Sequence, residues 1–317
     1  MQSLRVGLEI GGTKLQAALG TAEGEVLHVE RGAAPAAGGA EAIMAWFEGP
    51  VARLLDRAKA EGKAVTGFGV GFGGPVDSSA GTVLVSHQVG GWEGFPLEHW
   101  FEERFGVPTM IANDSNAAGW AEYCRGAGQG TRHFCYMNIG SGIGGALVID
   151  GQLHNGQGFG AGEIGHTYVP DWTAGKAGNA DKLENLCSGW SIEKRLRAAA
   201  QLSGQTPLAR LCEGDPQRIT TPLLAEAARQ GDATALRAIE EVAASVGIAL
   251  SNVITLFHPE RIALGGGVSL MGDLLLDPVR RHVAALVFGP FRNRYEIVPC
   301  ALGESVVIVG ALLLAPR

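Results

Sequence analysis

Short apolar runs, each closed by glycine or a polar turn, alternate along this chain with longer stretches whose apolar positions recur every three to four residues. Leu4–Ile10, Leu15–Leu19, Val65–Phe72, Pro108–Ala112, Phe134–Ile139, Ala146–Ile149 and Arg261–Leu264 read as strands. Residues 4–31 form a three-strand meander, with Ala22-Glu23-Gly24 as a turn. Helical spacing covers 40–61, where Ile43, Trp46, Val51, Leu54 and Leu55 are the core candidates. It returns over 96–105, 117–125, 188–201, 222–230 and 232–257. In the last of these Leu236, Ile239, Val242, Val246, Leu250, Val253, Ile254 and Phe257 share one face. Val306–Leu314 predicts a closing helix, while 33–40 and 152–182 read as loops. The alternation of strands and helices predicts an α/β fold.

One unit appears twice: strand, tight glycine loop, strand, polar turn. Its loops are Gly11-Gly12-Thr13-Lys14 and Gly140-Ser141-Gly142-Ile143-Gly144-Gly145. A single such loop is equally well a flexible hairpin bend. Duplicated, it points to a pair of phosphate clamps, because glycine lets backbone N–H groups approach phosphate oxygens closely. Thr13 and Lys14 add a hydroxyl and a cation. Gly140-x-Gly142-x-x-Gly145 and Gly69-x-Gly71-x-x-Gly74 also match the dinucleotide fingerprint. That fingerprint needs a helix directly after the loop. Gly145 is followed by a short apolar run and a turn, and Gly74 by Pro75-Val76-Asp77, so both matches read as decoys. The chain has no G-x-x-x-x-G-K-[ST] loop.

At 317 residues the expectation is about two domains. A net charge of −7 and the lack of a basic stripe argue against nucleic acid as a partner. The longest apolar run, Val306–Ala315, is shorter than the roughly 20 residues of a membrane span, so no membrane partner is expected. Five scattered cysteines without a C-x-x-C pair, and no charged-then-apolar leader, predict reduced thiols and a cytoplasmic location.

Three further clusters carry chemistry. Asn113-Asp114-Ser115-Asn116 places a carboxylate where a strand gives way to a helix; it could cap that helix or act as a base. Glu163-Ile164-Gly165-His166 sets an acid and an imidazole three residues apart, and Gly265-Gly266-Gly267 is a third glycine clamp. With Leu183-Glu184 and Ser188-Gly189, these motifs in this order resemble the ROK family over essentially the whole chain. The resemblance implies an actin/hexokinase-like ATPase fold, two ribonuclease-H-like domains with a cleft between them, here 1–113 with 303–317 and 114–302. It implies an ATP- and Mg²⁺-dependent sugar kinase, acting on glucose at O6 or else on fructose, mannose or an N-acyl hexosamine. A sugar-sensing protein without turnover is the alternative of another class. Asp114 would be the general base. Gly74, Asn113, Glu163, His166 and Glu184 would bind the sugar. Gly11, Gly12, Thr13, Lys14, Gly140, Ser141, Gly142, Gly144, Gly265, Gly266 and Gly267 would bind the nucleotide, with Glu9 near the magnesium. A homodimer or homotetramer is implied as well.

The chain departs from the family pattern in three places. Relatives carry C-x-C-G-x-x-G-C-L-E after the histidine and hold a structural zinc there. Tyr168–Lys182 contains no cysteine, Lys182 stands where the last one should be, and Cys187 is offset. No zinc is expected, and something else must orient His166. Glu9 replaces the aspartate of D-x-G-G-T, a change that a hydrated Mg²⁺ can accommodate. The chain also reaches its first glycine loop by residue 11, without the helix-turn-helix that precedes the core in family repressors, which disfavours a DNA-binding regulator.

Overall fold

The opening meander forms as β1 (Leu4–Ile10), β2 (Lys14–Thr21) and β3 (Val26–Ala33), antiparallel neighbours in one sheet. The computed structural model describes residues 3–86, 89–174, 178–199 and 205–316. Helix α1 (Gly39–Ala60) follows and buries Ile43, Met44, Phe47, Val51 and Leu54. Ile43, Val51 and Leu54 are thus buried as expected, whereas Trp46 and Leu55 are only partly buried and Met44 and Phe47 take core places instead. Next come β4 (Val65–Phe72), a ribbon of β5 (Val76–Asp77) and β6 (Thr82–Val83), α2 (Leu97–Phe105), β7 (Thr109–Asn113) and α3 (Asp114–Arg125). Gly106 ends α2 in the left-handed conformation, φ 67°. The first sheet has the order β3-β2-β1-β4-β7, with β4 and β7 parallel to β1.

The second glycine loop lies between β8 (Phe134–Ile139) and β9 (Ile143–Ile149), and β10 (Gln152–Leu153) turns back on β9. Residues 152–182, expected as loop, contain a 3₁₀ turn at Ile164–His166 and a hairpin of β11 (Tyr168–Pro170) and β12 (Ala180–Lys182). Then follow α4 (Leu183–Cys187), α5 (Gly189–Ala199), α6 (Pro207–Leu211), α7 (Thr221–Arg229), α8 (Ala233–Phe257), β13 (Arg261–Gly265), α9 (Asp273–Leu286), β14 (Glu296–Pro299) and α10 (Val306–Leu314). The expected end of α5 at 200–201 lies outside the described residues. The second sheet has the order β10-β9-β8-β13-β14, the same pattern as the first, with β13 parallel to β8 and to β14. The duplication legible in the glycine loops is thus a duplication of whole sheets.

The chain divides into two compact units: Met1–Gly130 with Ala146–Gly162 and Ala301–Arg317, and Thr131–Gly145 with Glu163–Cys300. In the first, Phe68, Val70 and Phe72 of β4 enter the aromatic and aliphatic core, while Gly67, Gly69 and Gly71 alternate with them and face α10. A Cβ on Gly69 would stand 1.8 Å from the Ala311 carbonyl oxygen, so only glycine permits this approach. That explains Gly69-x-Gly71 without any nucleotide: the glycines seat a helix on the sheet. In the second unit α8 is long and apolar enough to cross a membrane, yet Ile239, Val242, Val246, Leu250, Val253 and Ile254 are buried in the core. Leu236 and Phe257, at its two ends, are exposed.

Candidate active site

In the first unit β1, β4 and β7 run parallel and end level, Ile10 pairing with Phe72 and Phe72 with Asn113. The next residues along each strand are Gly11, Gly73 and Asp114, at the carboxyl edge of the sheet where α/β proteins place ligands. Gly73 N–H donates to the Ile10 carbonyl at 2.8 Å. A Cβ on Gly73 would lie 3.5 Å from Asp114 Oδ2 and 3.5 Å from Gly11 Cα. The carboxylate and the first glycine loop are therefore neighbours.

The helix cap is Asn113, not Asp114. Asn113 Oδ1 accepts from the N–H groups of Ser115 at 2.9 Å and Asn116 at 3.2 Å, and its Nδ2 donates to the Gly74 carbonyl at 3.1 Å. Asp114 is the first helical residue, and its Oδ1 accepts from Ser115 N–H at 2.7 Å. A carboxylate at a helix N-terminus is favoured by the helix dipole. Asn116 donates to the Ala161 carbonyl at 2.9 Å and so ties down the segment that leads to Glu163.

A polar ladder crosses the meander beside the first loop. Glu9, Gln16 and Arg31 are cross-strand partners on β1, β2 and β3. Arg31 Nε donates to Gln16 Oε1 at 2.9 Å, and Gln16 Nε2 donates to Glu9 Oε2 at 2.5 Å. Lys14 Nζ lies 3.2 Å from Glu9 Oε1. The loop closes by Gly11 N–H donating to the Lys14 carbonyl at 3.0 Å. Gly12 and the exposed Thr13 line an open depression of ≈560 Å³, so a ligand can reach them.

In the second unit β8 and β13 end together, Asn138 opposite Gly265. Gly266 has φ 84°, and a Cβ there would stand 2.5 Å from the Ile139 carbonyl carbon, so the chain can cross here only as glycine. Gly267 opens a 3₁₀ turn, Gly267–Met271, ahead of α9. The second loop is held by Gly144 N–H on Asn138 Oδ1 at 2.9 Å and Gly189 N–H on the Gly140 carbonyl at 2.7 Å. Ser141 at its tip is exposed. Glu184 Oε2 accepts from Ile143 N–H at 2.7 Å, binding α4 to this loop, a contact the sequence did not announce.

Glu163 precedes the 3₁₀ turn and His166 ends it, and both are exposed. His166 Nδ1 lies 3.2 Å from Lys182 Nζ. No sequence signal pointed to this contact beyond the place of Lys182 directly before Leu183-Glu184. The residues here do not fit zinc. The hairpin brings no thiol to His166, and Cys187 is buried, its thiol directed to the Val242 carbonyl, with burial pushing its pKa up to about 12. Among the described residues no three His, Cys, Asp or Glu side chains gather into a metal site.

The sequence model of the ROK family matches residues 5–317. The chain belongs to the ROK family. Among ROK relatives, a glucokinase from Streptomyces coelicolor is 33% identical, the match covering 98% of this chain and 97% of that protein. A glucokinase from Thermotoga maritima is 30% identical, with 96% and 95% covered. The crystal structure of a ROK family glucokinase from Streptomyces griseus, in complex with glucose and AMPPNP, superposes with a TM-score of 0.81 at 33% identity over 99% of both chains. The fold is the actin/hexokinase-like ATPase fold of ROK sugar kinases.

Proposed function

We propose that this ROK protein is an ATP-dependent glucose kinase that phosphorylates the sugar at O6. The observation that carries the proposal is Asp114, set at the ends of three parallel strands beside the Gly11 loop. Glucokinase relatives matching nearly end to end, and a glucose and AMPPNP complex of the same fold, support the choice of substrates.

The sugar O6 attacks the γ-phosphorus of ATP as the bond from that phosphorus to the β,γ-bridging oxygen breaks, leaving ADP. The hydroxyl proton passes to Asp114. Phosphoryl transfer depends chiefly on positioning and charge stabilisation, so Asp114 first orients the hydroxyl and takes its proton late. Asn113, committed to the cap and to Gly74, fixes the backbone around the base and keeps one amide N–H for a sugar hydroxyl. Glu163, His166 and the second oxygen of Glu184 supply the remaining sugar contacts. The N–H groups of Gly11, Gly140, Ile143 and Gly144 close the two loops, so Gly12 and Thr13 in the first and Ser141 and Gly142 in the second would offer backbone N–H groups to phosphate oxygens, and Gly265–Gly267 would face the adenosine. Mg²⁺ keeps most of its waters, so Glu9, steadied by Gln16 and paired with Lys14, would hold it through one of those waters. Mg²⁺ bound with ATP neutralises phosphate charge. The reading includes a cytoplasmic protein, consistent with its five free cysteines, and a homo-oligomer.

The test is ATP consumption with Mg²⁺ across glucose, mannose, fructose, N-acetylglucosamine and N-acetylmannosamine, the product being identified by ³¹P NMR. Glucose 6-phosphate as the favoured product supports the proposal. Turnover of another sugar at higher efficiency would replace glucose, and binding of sugar without turnover would favour a sensor.

A further inference from the structure

The 3₁₀ turn and the hairpin after it place a cation on an imidazole. His166 ends the turn, its N–H donating to the Glu163 carbonyl at 3.1 Å. Thr167 locks the turn by donating its hydroxyl to the Ile164 carbonyl at 2.7 Å. Strands β11 and β12 then pair Tyr168 with Lys182, and Leu183 N–H donates to the Thr167 carbonyl at 2.9 Å. Lys182 is thereby returned to within two residues of His166 along the partner strand. Its own backbone N–H is held by Asp181 Oδ1 at 2.7 Å, the same oxygen that accepts from Asn185 Nδ2 at 2.8 Å. Backbone anchors on both sides thus support the 3.2 Å approach of Lys182 Nζ to His166 Nδ1.

An ammonium group has donors and no acceptor. A ring nitrogen facing it must carry a lone pair, which moves the imidazole proton to Nε2. We propose that Lys182 is a positioning residue that sets His166 as the Nε2–H tautomer, so that its outer edge donates to a sugar hydroxyl. It does for His166 what a coordinated metal does for a ligating histidine: it occupies one ring nitrogen and thereby fixes the proton on the other. Glu163, three residues earlier and acceptor-only when ionised, complements that donor, so two neighbouring hydroxyls of one sugar meet opposite partners. This assignment rests on the sugar-kinase reading for its ligand, but its tautomer claim stands without it.

The test combines ¹⁵N NMR of the imidazoles in the intact chain with sugar kinetics, for wild type, Lys182→Met and Lys182→Arg. The His166 signals are assigned from their loss in His166→Gln. In wild type and Lys182→Arg, Nδ1 should be bare and Nε2 protonated, while Lys182→Met should populate the Nδ1–H form. The KM for glucose should rise roughly tenfold in Lys182→Met with kcat falling less, and Lys182→Arg should recover most of it. An Nδ1–H imidazole in wild type, or the same tautomer in wild type and Lys182→Met, would overturn the proposal. So would an unchanged KM in a protein that turns over glucose. If wild type phosphorylates no hexose while the tautomers behave as described, the kinase reading fails and the Lys182 assignment stands. Should Lys182→Met not fold, the wild-type tautomer decides.

Discussion

At Asn113 and Asp114, adjacent side chains divide two tasks that the sequence left on one residue. Either side chain suits a helix cap, and only the hydrogen bonds to Ser115 and Asn116 show that Asn113 holds the position. The Ncap position therefore does not fall to Asp114, which is compatible with the base role proposed for it. Asp114→Asn should lower kcat by about 10²–10⁴ while leaving glucose affinity within a few-fold, as measured by steady-state kinetics and calorimetry. Gly73→Ala should also slow turnover, because its methyl would fill the contact shared by Asp114 Oδ2 and Gly11. The cysteines make a separate prediction. Burial pushes both Cys135 and Cys187 up to about 12, so neither thiol should react with a disulfide reagent at pH 8 until denaturant is added. A Cys187 that titrates in the native protein would contradict its placement. Glu9 and Glu184 were legible as candidates, but their partners Gln16 and Ile143 were not, since those contacts come from strand register and from packing of α4.

The strand–loop–strand units were legible as elements because period-two runs and glycine loops are local signals. What could not be read was why so many glycines occur. Some serve loops, but Gly67, Gly69 and Gly71 serve the seating of α10, a partner more than two hundred positions away in the chain. The hairpin β11–β12 was read as loop because three-residue strands carry too few positions for a period to show. Helix α9 went unread although Leu275, Leu276, Val279 and Val283 lie at helical spacing; Gly272 before it and Pro278 within it look like breakers. The crossing at Gly266 gives an element-scale prediction. Gly266→Ala combines a positive φ with contact on the Ile139 backbone and should cost on the order of 1–3 kcal/mol in chemical denaturation. Nucleotide affinity should fall with it, because the second and third glycine clamps would be forced apart.

Two carboxylates bind distant parts of the chain at the scale of the whole molecule. Glu122 on α3 is fully buried and accepts from the N–H groups of Ala127, Ala301 and Leu302, fixing the approach to α10 within the first unit. Removing it takes the acceptor from three partly exposed N–H groups and empties a fully buried position, so Glu122→Ala should lower stability by about 1–3 kcal/mol. In the second unit Glu260 accepts from His133 and Arg132 N–H, joining the start of β13 to the start of β8. Those bonds hold its pKa below the usual glutamate value. Its stabilisation is therefore complete above that value and disappears as pH falls through the lowered one. Wild type should melt above Glu260→Gln at pH 7, and the gap should narrow only as the pH falls below the usual glutamate value. Both ties join segments that no local pattern links, which is why the sheet order and these staples had to come from the structure. The kinase account itself depends most directly on glucose-dependent ADP release from ATP and Mg²⁺, compared between wild type and Asp114→Asn alongside glucose binding by calorimetry. The account predicts turnover by wild type, its loss by at least about a hundredfold in the variant, and retained glucose binding in both. Equal rates in the two proteins, or glucose bound by wild type without any turnover, would contradict it.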